Sequence, residues 1–206
     1  PMKKYLAALW LTLSPLWVGA QSATAIDELL SALDEIQQLQ GSFEQRQYGE
    51  NDVLLVQSSG TFRLLRPGYF AWEITDPDNQ LIIATPEFVW HHDRDLETVT
   101  RRPVNDSAKM SPLQVLGGDA SVLREKFTVE KAGAGAYNLV PQSADVGFKR
   151  LMLRLDGARI EGMEILDSLN QRVVIDFAQL DTEAGLSSAD FAFSPPDGVD
   201  LFYYDE

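Results

Sequence analysis

An arginine-proline step stands within the most apolar part of this sequence. Arg66 and Pro67 interrupt a stretch of predicted strands between Gly60 and Trp90. Its large apolar side chains are Phe62, Tyr69, Phe70, Trp72, Ile82, Phe88 and Trp90. A guanidinium presents several fixed donors that can bind the backbone carbonyls of a neighbouring segment. Arg66 is therefore either an ordinary surface residue or a cation that holds a cover over an apolar interior.

Residues that could support catalysis or bind a metal are few. His91 and His92 precede Asp93, but adjacent residues of a strand point to opposite faces, so the two imidazoles cannot easily bind one metal. The chain has no cysteine, which excludes thiol nucleophiles and zinc–thiolate sites. Nucleophile-elbow, phosphate-loop and dinucleotide motifs are absent from the sequence. We therefore expect a binding protein that is not an enzyme and needs no metal or other cofactor.

The first 25 residues have the pattern of a cleaved secretory signal peptide. Two lysines precede the apolar run Tyr5–Leu13, which is short for a bilayer span. Small residues then offer two cleavage sites, Ala23–Ala25 and Val18–Ala20. A membrane anchor is the alternative interpretation. We expect a single exported domain over residues 26–206, soluble in the periplasm because no cysteine is present for lipid anchoring.

The charge of the chain restricts its partners. The formal net charge is −14 at pH 7, and it becomes −16 once Lys3 and Lys4, the only charged residues among the first 25, are removed. Such a surface repels nucleic acid and anionic lipid headgroups and attracts basic partner surfaces. We expect a monomer that binds no nucleic acid and folds without disulfides.

Apolar spacing predicts one helix followed by many short strands. Apolar residues recur every three or four positions from Ile26 to Ile36, which predicts a helix over Ala25–Gln40, capped by Thr24 and ended by Gly41. Strands are predicted at Ser42–Tyr48, Leu54–Leu65, Tyr69–Ile74, Gln80–Ala84, Phe88–His92, Glu97–Arg102, Phe127–Lys131, Ala136–Pro141, Arg150–Asp156, Ile160–Leu166 and Arg172–Leu180. Their hairpin-length links predict an antiparallel sheet that curls into a barrel or sandwich.

A different pattern separates the sixth and seventh predicted strands. Pro112–Leu116 has the composition of a short apolar helical turn, Gly117-Gly118 ends it, and a second turn runs through Leu123. A short apolar helix between a proline and a glycine pair suits a movable cover. It suits a fixed plug at one end of a barrel equally well.

The order of motifs along the chain resembles the outer-membrane lipoprotein carrier family, LolA. Ser42-Phe43-Glu44-Gln45 is similar to the family's Ser-Phe-x-Gln after the first helix. Ser59-Gly60, followed by Arg66-Pro67-Gly68-Tyr69-Phe70-Ala71-Trp72, is similar to its Gly…Arg-Pro-x-x-Phe-x-Trp motif. The tail from Phe191 to Val199 also fits. One departure is Thr85-Pro86-Glu87, which replaces an Asp-Gly turn.

The resemblance implies a mostly β fold: an incomplete antiparallel β-barrel of about eleven strands with a helical lid over a hydrophobic cavity. It implies a periplasmic chaperone that accepts acylated outer-membrane lipoproteins from an ATP-driven inner-membrane release complex and delivers them to an outer-membrane lipoprotein receptor. By the family's pattern Arg66 is the lid latch. The candidates for the acyl-chain cavity are Phe70, Trp72, Ile82 and Trp90. The candidates for the lid helices are Leu29, Leu33, Leu113, Val115 and Leu116.

Three other interpretations stay open at this point. The first is a periplasmic carrier of a free lipid or other small hydrophobic ligand, including a specialised paralogue. The second is a glycan or lipid hydrolase that uses two of the 31 acidic residues. The third is a structural envelope protein whose core is filled by its own side chains.

Overall fold

One twelve-stranded sheet organises the computed structural model, which describes residues 24–104, 114–117, 120–143, 146–157 and 159–204. The strands are β1 (Gln38–Tyr48), β2 (Leu54–Leu65), β3 (Tyr69–Asp76), β4 (Gln80–Ala84), β5 (Phe88–Asp93), β6 (Thr98–Pro103), β7 (Phe127–Gly133), β8 (Ala136–Pro141), β9 (Phe148–Asp156), β10 (Arg159–Asp167), β11 (Arg172–Asp181) and β12 (Asp200–Tyr203). Their order across the sheet is β12-β6-β5-β4-β3-β2-β1-β11-β10-β9-β8-β7.

The sheet is an unclosed antiparallel structure with one parallel addition. The first eleven strands pair with antiparallel neighbours, whereas β12 pairs parallel to β6 at one edge. This confirms the predicted incomplete antiparallel barrel. The twelfth strand was not predicted, because its four residues are all exposed and so show no alternation of buried and exposed side chains.

The first helix, α1 (Ala25–Asp34), is shorter than the sequence indicated. Thr24 and Asp27 form a reciprocal capping box at its start, as the predicted cap requires. The predicted end at Gln40 is wrong, because Gln38 pairs with Leu65 in the sheet. Gly41 does not end the helix either: it lies within β1, where a Cβ atom would come 2.7 Å from the carbonyl oxygen of Ala178. Strand pairing therefore overrides the helical spacing of the last apolar residues.

Two short helices lie in the insertion between β6 and β7. They are α2 (Gln114–Gly117) and α3 (Ala120–Lys126), close to the two predicted turns. Leu123 of α3 is buried, and Arg124 binds Asp27 of α1 through an ion pair of 2.7 Å. Leu113, one of the predicted lid residues, lies outside the described residues. In the part of the chain that the structure describes, no helix is long and apolar enough to span a membrane.

The two faces of the sheet are covered by different parts of the chain. The inner face, which carries Phe43, Phe62, Phe70 and Trp72, packs against the three helices. The opposite, outer face of β3 and β4 is covered by the C-terminal segment, in which a 3-10 turn at Ser188–Phe191 brings Phe191 onto the sheet. The helices and the inner face therefore form the main core.

Candidate functional site

A cluster of aromatic rings occupies the centre of the inner face. Trp72 stacks on Phe43 with ring centroids 3.5 Å apart, and it also contacts the rings of Phe62, Phe70 and Phe177 at 6.0–6.3 Å. The register explains the cluster, since Trp72 lies opposite Phe62 and Phe43 lies opposite Phe177 in paired strands. Sequence analysis proposed Phe70 and Trp72 for this site but not Phe43, Phe62 or Phe177. The signal was present, because Phe43 belongs to the motif that follows the first helix and Phe177 alternates correctly in its strand.

The three helices α1, α2 and α3, together called the lid, bury this aromatic face. Each of the following side chains is at most 2% exposed and belongs to one apolar cluster: Leu29, Leu33, Val115, Leu116, Phe70 and Trp72. The predicted lid residues that the structure describes thus belong to the same buried cluster as Phe70 and Trp72. The described side chains of this cluster are therefore shielded from solvent.

Three hydrogen bonds join the β2–β3 loop to the lid and to the segment after α1. The Nη2 atom of Arg66 donates to the carbonyl oxygen of Leu116. The backbone N–H of Gly68 donates to the carbonyl oxygen of Gly117 at 3.0 Å, and the backbone N–H of Arg66 donates to that of Gln37 at 2.9 Å. Leu116 and Gly117 end α2, where helix carbonyls lack partners within the helix. The side chain of Arg66 is therefore bonded to the insertion between β6 and β7.

Ile82 and Trp90, the other two cavity candidates, lie on opposite faces of the sheet. Ile82 pairs with Trp72 and is half-buried against the inner core. Trp90 pairs with Ile83 and packs on Phe193 at 5.3 Å, within the cluster of the outer face. The prediction that Trp90 lines the same cavity is therefore wrong.

The turn between β4 and β5 accounts for this error. The backbone N–H of Thr85 donates to the carbonyl oxygen of Phe88, so Pro86 and Glu87 form a two-residue loop. A loop of this length places His91 opposite Ile82, and Trp90 consequently faces the other way. The sequence did not reveal the length of this loop, because the usual Asp-Gly signal is missing.

The two adjacent histidines lie on opposite faces, as predicted. His91 faces inward, with its Nε2 atom 3.1 Å from Oε1 of Gln80, whereas His92 faces outward with its ring 5.8 Å from that of Phe193. Burial lowers the pKa of both imidazoles below the usual value. Among the described residues, no group of three or more histidine or acidic side chains is placed to hold a metal ion.

Comparison with known proteins supports this arrangement. The family model described as "Outer membrane lipoprotein carrier protein LolA" matches residues 34–194. The chain belongs to the outer-membrane lipoprotein carrier family. This family is one of carriers and not of enzymes, in agreement with the sequence analysis. Its match includes Arg66, the aromatic strands and both insertion helices.

Several relatives extend the similarity over almost the whole chain. An outer-membrane lipoprotein carrier protein of Methylococcus capsulatus is 38% identical over 192 residues, which is 90% of this chain and 92% of the relative. One of Alkalilimnicola ehrlichii is 34% identical over 197 residues, covering 95% and 92% of the two chains.

Solved structures share the fold. A LolA superfamily protein of Nitrosomonas europaea aligns with a TM-score of 0.52 and 12% identity, over 83% of this chain and 99% of its own. An uncharacterised conserved protein of Thermus thermophilus gives a TM-score of 0.53 and 14% identity, over 87% and 99% of the two chains.

Proposed function

We propose that this protein is a periplasmic carrier that binds the acyl chains of lipoproteins on the inner face of its sheet, beneath the lid. The single observation that supports this most is the aromatic cluster around Trp72, covered by short helices of which α2 has only four residues. Membership of the lipoprotein carrier family supports the choice of ligand.

The apolar character of the inner face suits acyl chains. Each buried methylene contributes about 0.8 kcal/mol, so a single long acyl chain in a membrane is stabilised by on the order of 10 kcal/mol. A carrier must offer a comparable apolar surface, or the lipid stays in the bilayer. The buried aromatic and aliphatic side chains of the inner face provide such a surface once the lid is displaced.

The lid is held closed in part by Arg66, which we propose as its latch. Its bond to Leu116 and the bond of Gly68 to Gly117 tie α2 to the β2–β3 loop. Binding of acyl chains would displace α2 and break these bonds, and release would restore them. Because release restores these bonds, the closed state favours release of the acyl chains. The strength of the latch bonds determines how large this preference is.

The sequence contains no nucleotide-binding motif, so other proteins must drive loading and unloading. We propose loading by an ATP-driven release complex of the inner membrane and delivery to a lipoprotein receptor of the outer membrane. Export by a cleaved signal peptide at the N-terminus, followed by a single carrier domain, completes the proposal.

Incubation with inner membranes that carry a labelled lipoprotein and the ATP-driven release complex tests this function. The purified protein should bring the lipoprotein into the soluble fraction in an ATP-dependent manner, and a non-acylated form of the lipoprotein should not bind. Mass spectrometry of the soluble complex should show an intact acylated lipoprotein. Recovery of free lipid alone would instead establish the carrier of a small hydrophobic ligand, and recovery of neither would contradict both.

A further inference from the structure

The inner face of the sheet continues past the aromatic cluster onto β5, β6 and β12. Directly paired residues of neighbouring strands point to the same face, and Trp72, Ile82 and His91 are paired in turn across β3, β4 and β5. Thr100 of β6 pairs with His91, and Phe202 of β12 pairs with Thr100. Trp72 is 1% exposed, whereas His91 and Thr100 are half-buried and Phe202 is 49% exposed. The inner face is therefore sealed at its aromatic centre and more open towards β12.

The more open part of this face carries polar side chains next to apolar ones. Ile82 and Val89 are half-buried and pack against the main core. Arg102 is paired with Val89, and paired positions bring Cβ atoms to within about 4.5–5.5 Å. Arg102, Thr100 and His91, together called the polar rim, therefore border the apolar surface of the proposed acyl site.

Hydrogen bonds orient the imidazole of the polar rim and define its tautomer. The Nε2 atom of His91 lies 3.1 Å from Oε1 of Gln80, and the Nε2 atom of Gln80 donates to Oδ2 of Asp93 at 3.3 Å. The amide oxygen of Gln80 can only accept, so the proton of the neutral imidazole belongs on Nε2. Burial lowers the pKa of His91, and the nearby charge of Arg102 also lowers it, against an opposing effect of Asp93. At neutral pH the polar rim thus combines an uncharged imidazole with a guanidinium.

The guanidinium of Arg102 is held at the border of the apolar surface by an aromatic ring. Its central carbon lies 5.2 Å from the centre of the Tyr204 ring, which is itself exposed. Such a cation–π contact uses the flat face of the guanidinium, whereas the N–H donors project from its edge. Arg102 can therefore stack on Tyr204 and still donate to acceptors that lie on the inner face.

A lipid that lies on the inner face brings acceptors of this kind with it. Each acyl chain of a lipoprotein ends in the carbonyl group of an ester or an amide, which is an uncharged acceptor. A carbonyl that leaves water without gaining a donor destabilises the complex, so a carrier that covers the chains gains affinity from donors at their ends. The polar rim places donors next to Val89, where the apolar surface stops.

We propose that the polar rim binds the ester carbonyl groups that join the acyl chains of a lipoprotein to its glyceryl group, with Arg102 as the principal donor and the hydroxyl of Thr100 as a second one. This inference rests on the proposed acyl site and adds the part of the ligand that is not hydrocarbon. An anionic headgroup is a poorer occupant, because the carboxylate of Asp93 lies beside the polar rim and the chain carries a formal charge of −14.

Two short-chain ligands that differ only in their linkage test the proposal by isothermal titration calorimetry. One is an N-acylated S-(diacylglyceryl)cysteine peptide, and the other is its diether counterpart, which keeps the chains but has no ester carbonyl. The diester should bind at least about tenfold more tightly, because a carbonyl accepts a hydrogen bond from a charged donor far better than an ether oxygen does. A diether phosphatidylglycerol that binds more tightly than the diether peptide would show that the polar rim recognises phosphate, and would overturn the proposal.

Adjacent arginines on opposite faces of β6 provide matched variants. Arg102→Met keeps the aliphatic stem but removes the donors, so the affinity for the diester should fall to that for the diether, which should itself stay unchanged. Arg102→Lys keeps a charged donor and should retain part of the preference for the diester. Arg101 lies on the outer face, with its guanidinium 5.5 Å from the ring of Trp90, so Arg101→Met should retain the full preference.

The two ligands also separate a failure of the polar rim from a failure of the acyl site. Equal affinities of the diester and the diether for the unmodified protein would overturn the role of the polar rim and leave acyl binding intact. An equal loss of affinity for both ligands in Arg102→Met would show a role in packing alone, and would overturn it too. If neither ligand binds the unmodified protein, the proposed acyl site fails and the polar rim fails with it.

Discussion

Arg66 and Leu116 are 50 positions apart in sequence, yet the guanidinium of Arg66 donates a hydrogen bond to the backbone carbonyl of Leu116. The acceptor is a main-chain atom at the end of α2. The bond therefore depends on where the backbone of α2 lies and not on which side chain residue 116 carries. Gly68 and Gly117 form a second bond beside it, at 3.0 Å. Both bonds join the loop between β2 and β3 to the end of α2.

Replacing the latch should uncouple binding from release. A hydrogen bond to a charged group contributes about 1.5–3 kcal/mol, so Arg66→Leu should shift the lid toward the open state by roughly ten- to a hundredfold. The variant should accept lipoprotein from loaded membranes but transfer it poorly, because the closed, empty state no longer gains this bond. Transfer between purified components measures both steps.

The neighbouring arginine provides a matched control. Arg63 lies within β2, three residues before Arg66, and its guanidinium is 5.9 Å from the ring of Phe191 on the outer face. Arg63→Leu should therefore transfer lipoprotein normally. Normal transfer by Arg66→Leu, or an equal defect in both variants, would contradict the role of Arg66 as latch.

Gly60 marks a position where the sheet tolerates no side chain. A Cβ atom there would lie 1.8 Å from the carbonyl oxygen of Glu73, a backbone atom of the paired strand β3. Gly60→Ala must separate β2 from β3 and should lower the free energy of unfolding by about 3 kcal/mol. Gly49→Ala, where the nearest atom is the flexible Cδ1 of Leu55 at 3.0 Å, should cost much less. Equal urea midpoints for the two variants would contradict this account of β2–β3 pairing.

Stability should fall as the pH is lowered through the range in which unfolded histidines titrate. Burial lowers the pKa of His91 and of His92 in the folded protein, so the unfolded chain binds protons first as the pH falls through about 6.5. The two neutral imidazoles therefore contribute fully to the free energy of unfolding above about pH 6.5, and this contribution is lost as the pH falls below it. His92→Phe, which suits the contact with Phe193, should flatten the decline between about pH 7.5 and 5.5. An unchanged slope in urea titrations across this window would refute the contribution of His92.

The capping box at Thr24 predicts which signal cleavage site is used. The Oγ1 atom of Thr24 accepts from the backbone N–H of Asp27, whose carboxylate also binds Arg124 of α3. Cleavage after Ala25 would remove this cap, at a cost of about 1 kcal/mol to α1, whereas cleavage after Ala20 retains it. The intact mass of the exported protein should correspond to a chain that starts at Gln21. A mass that corresponds to a start at Ile26 would show that the cap is dispensable.

Most of the sheet could be predicted from sequence because its signals are local. β2, β4 and β8 have the predicted bounds, since alternation and turn residues define both ends. The helix over Ala25–Gln40 was overextended because Ile36 and Leu39 fit a helical stripe as well as the buried positions they occupy. The pairing of Gln38 with Leu65 shows that the chain has left the helix and entered β1 by this point.

The candidate site was predicted in part, for a different reason. Residues of one strand, such as Phe70 and Trp72, have a fixed phase relative to each other, and the sequence placed them correctly on one face. Which residues of the next strand share that face depends on the length of the loop between the strands. For β5 this loop consists of Pro86 and Glu87. Trp90 was therefore assigned to the wrong face, although its aromatic character is the same.

The opposite placement of Trp72 and Trp90 allows a direct test of where the acyl chains bind. They are the two tryptophans that remain once the signal region is removed, one on the inner face and one on the outer face. A bromine-labelled acyl ligand quenches tryptophan fluorescence only in contact. The account predicts strong quenching in Trp90→Phe, which retains Trp72, and little quenching in Trp72→Phe. Quenching of Trp90 alone, or of neither residue by a ligand that demonstrably binds, would contradict acyl binding beneath the lid.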